Sequence, residues 1–401
     1  MILVALVILP TYADPDPTVK DSNFIVEKYV TGISYSPTTM AFEGHDILVL
    51  SKESGQIHLF RNGFLQDKPL LSKNVTSVGE QGMLGITTSG KKVYIYFTES
   101  SRMHGPPLGK RLYSYDWDGN NLVNETLIKD LKQTQTYHNG GAMTTDLNGA
   151  AYLIVGDAGH FGNLQNHPVG APDDTSVIFR IAPSGPYYAI GIRNSFGLTV
   201  DPITGKLWDT ENGPDYGDEV NIVPPYFNSG WDVLMGPANK TQLEQIPRFL
   251  NYTYHDPQFT WWKPVAPTGL AFATSPSYGK YQNDLFVGDC NNGNIYHFQM
   301  NQKRDGFVFN SPQLQDKVVN VNKGESMDEI TFGTGFGCVS DVITGPDGLL
   351  YIVSLTDGTI YRITPVSTSV LEYLPFVVIP IIVGLFFIYI RKRKKIQSIQ
   401  S

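Results

Sequence analysis

The sequence predicts an all-β protein, a six-bladed β-propeller of four-stranded antiparallel sheets, with a transmembrane helix near the carboxyl terminus. Glycine (39), proline (26), tyrosine (22) and phenylalanine (21) are frequent and only 17% of the residues are charged, which is typical of short strands joined by tight turns. An apolar strand, a turn and an aromatic-rich strand recur six times. No long amphipathic helical pattern interrupts these repeats.

The six repeats favour a ring of sheets. Their leading strands are centred on 39–42, 83–86, 141–143, 196–200, 268–272 and 340–343, and their returning strands on 46–50, 93–97, 151–155, 206–208, 284–287 and 349–353. Five of them have a third strand, at 56–60, 111–115, 176–180, 294–298 and 359–363. Sheets around a channel bury their faces against their neighbours and leave only short edges. The repeats, spaced roughly 45 to 70 residues apart, therefore favour a propeller over a two-sheet sandwich.

The fourth repeat, within 189–231, is the richest in polar motifs. Phe196–Val200 and Lys206–Thr210 read as a hairpin around the turn Asp201–Gly205. The segment Glu211–Glu219 then gathers four acidic side chains around two glycines and a proline. Such a loop offers oxygen ligands to a hard cation. A solvated acidic turn would have the same composition, so both interpretations stay open.

Both ends of the chain predict membrane targeting. Residues 1–13 resemble a signal peptide without the usual positive amino-terminal region, and 20–366 form the propeller domain. After a spacer at 367–372, the uncharged stretch 373–390 is long enough to cross a bilayer as a helix. The basic tail, 391–401, then lies in the cytoplasm and the propeller outside the cell. A buried core helix is the alternative for 373–390, and five consecutive cations beside it make that alternative unfavourable.

Charge excludes one class of partner. The formal net charge is −8, and because Arg391–Lys395 contribute +5, the remainder carries −8 − 5 = −13. A nucleic-acid-binding protein needs a basic face, so we expect no nucleic-acid partner. Four glycosylation sequons are compatible with an extracellular domain; they lie at Asn74, Asn124, Asn239 and Asn251.

The chain has two cysteines, Cys290 and Cys338. Outside the cell a pair of cysteines favours a disulfide, and two thiols alone are too few for a structural zinc site.

A histidine and an aspartate form a candidate catalytic pair. His138 leads into the third repeat and Asp157 ends its second strand, so an antiparallel return brings them to the same end of one sheet. An aspartate that binds one imidazole nitrogen leaves the other as a general base. Such pairs also occur as purely structural contacts. Glu80 and Gln81 form a polar pair on the tight turn before the second repeat.

The order of these motifs resembles the soluble quinoprotein glucose and aldose sugar dehydrogenases, the glucose/sorbosone dehydrogenase family. Members are six-bladed propellers that use pyrroloquinoline quinone (PQQ) and calcium. The resemblance runs from about Ile33 to Ile363. The matching motifs are Gly79–Gly85, His138–Gly141 with Gly156-Asp157, Gly191–Asn194, and Glu211–Pro214 with Asp218-Glu219.

The resemblance implies a role for each of these residues in oxidising an aldose to its lactone. His138 would take the proton from the anomeric hydroxyl, Asp157 would orient the imidazole, and hydride would pass to PQQ. Arg193 and Asn194 would bond the quinone oxygens, the guanidinium stabilising the charge that develops.

The resemblance also implies which residues form the rest of the pocket. Glu80 or Gln81 would line it, and the backbone carbonyls of Gly213 and Pro214 would hold an active-site calcium ion. Asp218 and Glu219 would serve a structural calcium ion.

One part of the family pattern is missing. Basic residues of the last two blades hold the three carboxylates of PQQ in the family, and the corresponding positions are Asn291, Cys338 and Ser340. None is cationic. A disulfide between Cys290 and Cys338 would occupy space that this clamp otherwise lines.

Three functions are therefore compatible with the sequence. The first is a membrane-anchored, extracellular PQQ-dependent dehydrogenase with a small sugar substrate and an unknown electron acceptor. The second is a non-catalytic surface propeller that binds glycans or a protein partner. The third is a metal-assisted sugar or lactone hydrolase without quinone.

Overall fold

Six β-sheets make up the part of the chain that the computed structural model describes, residues 16–366 except 35, 133 and 250. We number the sheets I to VI by the order of their innermost strands in the chain. Two amino-terminal strands complete the last two sheets and are listed first: β1 (Thr18–Val19) and β2 (Phe24–Val30).

Sheets I, II and III use the first half of the chain. Sheet I contains β3 (Pro37–Glu43), β4 (Asp46–Ser51), β5 (Gln56–Arg61), β6 (Phe64–Leu65) and β7 (Leu71–Ser72). Sheet II contains β8 (Met83–Ser89), β9 (Lys92–Ser100), β10 (Pro107–Trp117) and β11 (Leu122–Leu131). Sheet III contains β12 (Met143–Thr145), β13 (Ala151–Val155), β14 (Val177–Ala182) and β15 (Ser184–Ile190), with two later strands, β19 (Phe227–Asn228) and β20 (Thr253–Tyr254), at its edge.

Sheets IV, V and VI use the second half. Sheet IV contains β16 (Gly197–Val200), β17 (Leu207–Glu211), β18 (Asp218–Val223), β21 (Phe259–Trp261) and β25 (Val318–Val319). Sheet V contains β22 (Pro267–Phe272), β23 (Leu285–Asp289), β24 (Ile295–Phe298), β26 (Thr331–Thr334) and β1. Sheet VI contains β27 (Val339–Thr344), β28 (Leu350–Ser354), β29 (Thr359–Pro365) and β2.

Hydrophobic packing joins the sheets into a closed ring. Each of six buried apolar clusters combines side chains of two successive sheets. The last of them packs Val353 and Ile360 of sheet VI against Met40 and Val49 of sheet I. Antiparallel pairing of β2 with β29 fixes the amino-terminal end of the described chain to its carboxyl-terminal end. The predicted all-β, propeller-like arrangement is therefore confirmed.

The prediction that every sheet has four strands is wrong for most of the ring. Sheets II and VI have four strands, whereas sheets I, III, IV and V have five or six. The long segments that follow β18 and β24 add short strands such as β20, β21 and β25 to the outer edges. Within the described residues the helices are short: α1 (Lys240–Gln245), capped by Asn239, and 3₁₀ turns at Pro276–Tyr281, Pro312–Leu314 and Val321–Lys323.

Among residues 16–366, no helix combines the length and the apolar character that a bilayer crossing needs. The predicted signal peptide (1–13), spacer (367–372), transmembrane helix (373–390) and basic tail (391–401) lie outside the described residues.

The direction in which the strands of each repeat run determines where the functional residues lie. Every repeat begins with its innermost strand, so the six inner strands (β3, β8, β12, β16, β22 and β27) all start at the same end of the ring. The loop before each inner strand and the loop after the antiparallel second strand therefore open at that end. Polar side chains from these loops converge on the central axis there.

Candidate active site

A cavity of about 580 Å³ lies at the end of the ring where the inner strands begin, and we call it the central pocket. Each of the six repeats supplies side chains to it. Representative lining residues, one from each repeat, are Lys52, Glu80, His138, Arg193, Cys290 and Asp341.

His138 of the predicted histidine–aspartate pair lines this pocket, and Asp157 contacts it from behind with well-defined geometry. Nδ1 of His138 lies 2.7 Å from Oδ1 of Asp157, whose side chain is only 4% exposed. The other carboxylate oxygen, Oδ2, accepts a 2.7 Å hydrogen bond from Nε1 of Trp231. The backbone N–H of Gly159 also donates to Oδ1, at 2.6 Å. With Nδ1 paired, Nε2 of His138 is left for the pocket, and no described residue bonds it.

Close backbone packing brings the pair beside the next sheet. The Asp157 N–H donates to the carbonyl of Arg193 at 2.8 Å. A Cβ on Gly156 would lie 2.4 Å from the His138 carbonyl oxygen and 2.9 Å from that of Arg193. Only glycine fits at such a contact. Gly156 thus allows three functional residues of two sheets to share one small volume.

Arg193 is anchored by some of its donors and has one buried donor that is unpaired. Its Nη1 donates to the carbonyls of Asn212 (2.8 Å) and Gly213 (2.9 Å). The guanidinium lies 5.2 Å from the ring centre of Trp231, within the range of a cation–π contact. Its Nε is buried and has no partner among the described residues. An unpaired buried donor is costly, so this edge of the guanidinium is suited to a ligand acceptor.

Asn194 and Glu80 contact each other. Nδ2 of Asn194 lies 3.2 Å from both carboxylate oxygens of Glu80, and the backbone N–H of Asn139 donates to Glu80 Oε2 at 3.1 Å. Glu80 and Asn194 both line the central pocket. The structure places Gln81 elsewhere: its buried amide donates to the carbonyls of Thr134 and Gln135 and lies outside the pocket lining.

A lysine lies behind this polar group. Lys110 on β10 is completely buried, and its Nζ has no hydrogen-bond partner among the described residues. Residues two apart point to the same face of a strand, and Leu112 packs between sheets II and III, so Lys110 also faces sheet III. Burial lowers the pKa of Lys110 to about 8, and the negative charges of Glu80 and Asp157 partly offset that effect.

Three of the four residues predicted to hold calcium, Gly213, Asp218 and Glu219, are engaged within the protein. Gly213 and Pro214 line the pocket, but the Gly213 carbonyl already accepts from Arg193. Both carboxylate oxygens of Asp218 accept backbone N–H groups, from Gly213 at 2.8 Å and from Val265 and Ala266 at 2.7 and 2.8 Å. Asp218 thereby fastens two loops of the pocket together. Burial raises its pKa to about 6 despite these bonds.

Glu219 belongs to a buried acidic face of sheet IV. It lies opposite Glu211 in the β17–β18 register, and its carboxylate accepts bonds from the Gly236 N–H and from Asn221 Nδ2. Neither carboxylate oxygen of the neighbouring Asp209 has a partner among the described residues. Burial, and then the charge of Glu211, raise the pKa of Glu219 well above its ordinary value. Within the described residues, no group of three or more His, Cys, Asp or Glu side chains is arranged to hold a metal ion.

The wall formed by sheets V and VI carries a disulfide and no cation. Cys290 and Cys338 are bonded to each other and both line the pocket. Asn291 beside them is exposed, and Ser340 Oγ donates to the Pro37 carbonyl at 2.9 Å. Asp341 adds a carboxylate to this wall, and burial raises its pKa to about 7.

Among the residues of this site that sequence reasoning missed are Trp231, Lys110 and Asp341. Trp231 bonds Asp157, Lys110 lies behind the pair, and Asp341 faces the pocket from the last sheet. Trp231 had no detectable signal because its contact depends on how a long loop folds back. Lys110 had only a weak signal, since it lies between Leu108 and Leu112 on a strand face that continues with Ser114 and Asp116.

Comparison with known proteins identifies the family. The family model for glucose/sorbosone dehydrogenases matches residues 35–362. The aldose sugar dehydrogenase of Escherichia coli is 25% identical over 258 residues, which cover 60% of this chain and 64% of that protein.

Solved structures share the fold. A putative oxidoreductase (glucose dehydrogenase) of Thermus thermophilus has a TM-score of 0.66 at 23% identity, covering 85% of this chain and all of that one. The PQQ-bound aldose sugar dehydrogenase of Streptomyces coelicolor has a TM-score of 0.63 at 20% identity, covering 87% of this chain and all of that one. The resemblance found in the motifs is confirmed, and the chain belongs to the glucose/sorbosone dehydrogenase family.

Proposed function

We propose that the protein is a sugar dehydrogenase that oxidises the anomeric carbon of an aldose to a lactone. The observation that carries this proposal is the His138–Asp157 pair, held at 2.7 Å and braced by Trp231. Its free Nε2 shares the central pocket with Arg193, whose Nε has no partner among the described residues. A base and an unpaired cationic donor in one cavity suit the removal of a hydroxyl proton beside a centre where negative charge develops.

The protein's own residues account for the proton. Nε2 of His138 takes the proton of the anomeric hydroxyl, and the imidazolium that forms is stabilised by Asp157 on the other nitrogen. Trp231 and the Gly159 N–H hold the carboxylate in place. The C–H hydrogen leaves as hydride to an acceptor bound beside Arg193.

PQQ, the acceptor that the family implies, fits only part of this pocket. At the reactive end, the Arg193 guanidinium offers a donor to a quinone oxygen. At the other end, three carboxylates would meet Asn291, Ser340 and the disulfide, none of them cationic, and Asp341, which is acidic. The donor set of that wall does not match PQQ, and we derive no step through it. The Gly213 carbonyl, implied as a calcium ligand, is bonded to Arg193, so we assign calcium no step either.

We also propose that each sheet is one blade of a six-bladed propeller located outside the cell and anchored by a helix at 373–390. The disulfide supports an oxidising compartment. All four sequon asparagines are exposed, as glycosylation requires: Asn74, Asn124, Asn239 and Asn251.

The test is sugar-dependent reduction of an artificial electron acceptor by the purified protein, with a panel of aldoses and added quinones. His138→Ala should lower turnover about 10²- to 10⁴-fold, the usual contribution of a general base. His45→Ala, in an exposed turn, is the matched control and should keep full activity. Full activity of His138→Ala, or no sugar-dependent reduction with any quinone, would overturn the proposal.

A binding module is the second candidate, and one observation favours it. The side-chain amide of Asn194 and the carbonyl of Gly213, both implied as ligands of the reactive end, are engaged with Glu80 and Arg193. A pocket in which these groups are already hydrogen-bonded within the protein is suited to holding a glycan without turnover. Glycan binding that is unchanged in His138→Ala, together with no oxidation, would select this function.

A further inference from the structure

The wall of the central pocket formed by sheets V, VI and I has an unusual charge for a cofactor site of this family. We call it the V–VI–I wall; its members include Asn291, Ser340, Asp341, Lys52 and Glu53, with the Cys290–Cys338 disulfide among them. Two carboxylates and one ammonium give it a formal charge of 1 − 2 = −1. The wall therefore repels a polyanion.

Its single cation is already engaged. Nζ of Lys52 donates to the carbonyl of Gly79 at 2.7 Å and to that of Ser77 at 3.3 Å. These bonds direct the ammonium toward the loop before β8. A ligand carboxylate would have to displace them to gain the ion pair.

Of the two acids of this wall, Glu53 is the one that is incompletely engaged. Oε2 of Glu53 is buried without a hydrogen-bond partner among the described residues. Asp341 accepts bonds from Thr39 Oγ1 and from the adjacent Val342 N–H. A buried acceptor without a partner favours a ligand that donates a hydrogen bond or is uncharged, and disfavours one that brings further negative charge.

We infer that the ligand of this pocket is an uncharged quinone, whose ring system lies against Arg193 and whose far end meets the V–VI–I wall without carboxylates. The assignment of the ligand to the quinones rests on the proposed dehydrogenase function. Its lack of charge is inferred from the V–VI–I wall. Selectivity then comes from repulsion as well as attraction, since like charges facing each other in a desolvated site reject the wrong ligand.

The test compares PQQ with its trimethyl ester, which has the same rings and no carboxylates. Binding to the purified full chain is measured by calorimetric titration at pH 8, so that no turnover is needed. One charge-assisted bond corresponds to roughly a tenfold to hundredfold change in affinity, so we expect the ester to bind at least about tenfold more tightly. PQQ binding as tightly as the ester, or more tightly, would overturn the inference.

Two variants test whether the charge of the V–VI–I wall causes the preference for the ester. Glu53→Gln, nearly isosteric, removes one negative charge and should strengthen PQQ binding about tenfold while leaving the ester unchanged. Glu244→Gln, on the exposed surface of α1, is the matched control and should change neither. Ser340→Arg adds a cation and should favour PQQ further.

The outcomes also separate this inference from the proposed function. Tight ester binding without oxidation of any aldose keeps the charge selectivity and refutes the dehydrogenase. PQQ-dependent oxidation of an aldose with no preference for the ester supports the dehydrogenase and refutes the charge selectivity. Failure of both quinones to bind the wild type and the Glu53→Gln variant refutes both.

Discussion

Replacing Lys110 with methionine should stabilise the protein. The ammonium of Lys110 is fully buried on the face of β10 that packs against sheet III, and no described residue bonds its Nζ. Methionine is similar in length and leaves no charge to desolvate. Its thioether also suits an irregular apolar space between two sheets.

The size of the effect follows from the pKa of the lysine. Burial lowers this pKa from 10.5 to about 8, after the opposing attraction of Glu80 and Asp157. A shift of one unit corresponds to about 1.4 kcal/mol, so the charged form of Lys110 costs the folded state on the order of 3 kcal/mol at pH 7. Lys110→Met should raise the free energy of unfolding by up to about that amount.

The pH dependence gives a second, independent readout. Because the folded-state pKa is depressed, the folded protein binds fewer protons than the unfolded chain between about pH 8 and 10.5. The stability contribution of this group therefore rises with pH across that window and is lost as pH falls through 8. Lys110→Met should lack this rise.

Urea unfolding followed by tryptophan fluorescence at pH 7, 8, 9 and 10 measures both quantities. Lys91→Met, at an exposed turn of sheet II, is the control and should change stability by no more than about 0.5 kcal/mol. If Lys110→Met destabilises the protein at pH 7 and the slope between pH 8 and 10 equals that of the wild type, the ammonium is well solvated or bonded, and the reasoning is refuted.

Three further predictions concern the pocket. Removing the disulfide with Cys290→Ala and Cys338→Ala should cost about 4 kcal/mol of unfolding free energy, since the bond closes a loop with a sequence separation of 48; equal urea midpoints of the two proteins without reductant would contradict this. Trp231→Phe removes the donor to Asp157 Oδ2 and should lower kcat roughly tenfold with little change in KM, which steady-state kinetics checks; unchanged kcat would exclude a bracing role. For Asp341, whose pKa is raised from 3.8 to about 7, stability should fall as pH rises between about 4 and 7, and thermal unfolding of Asp341→Asn should lack that fall; identical pH profiles would refute the assignment.

The sequence predicted the parts of this molecule that depend on local pattern. The hairpin of the fourth repeat lies at Gly197–Val200 and Leu207–Glu211, close to the predicted strands, because alternation and a turn with Asp201 and Gly205 are short-range signals. The meeting of His138 and Asp157 was also predictable, since an antiparallel return places residues before the first strand and after the second at one end of a sheet.

Features that depend on long-range packing were not predictable in this way. The outer strands of sheets III and IV include β20, β21 and β25, which are two or three residues long. β20 and β25 pair in parallel with β19 and β21, and β21 pairs antiparallel with β18. Such segments carry too few residues for a period to be visible. Asp218 also illustrates the point: its acidic surroundings suggested a cation ligand, but its partners are backbone N–H groups at 213, 265 and 266.

The two electrostatic features of the pocket have different consequences for ligand binding. Lys110 is buried behind Glu80 and Asp157, and its positive charge is attracted to both carboxylates. On the V–VI–I wall Lys52 is attracted to Glu53, but its ammonium is hydrogen-bonded to two carbonyls of the loop before β8. Arg193 adds a second positive charge near the His138–Asp157 pair, whereas the V–VI–I wall keeps its formal charge of −1 where the far end of a ligand would lie. Adding salt should therefore change the discrimination against PQQ only modestly, because buried charges such as Oε2 of Glu53 are screened much less than exposed ones.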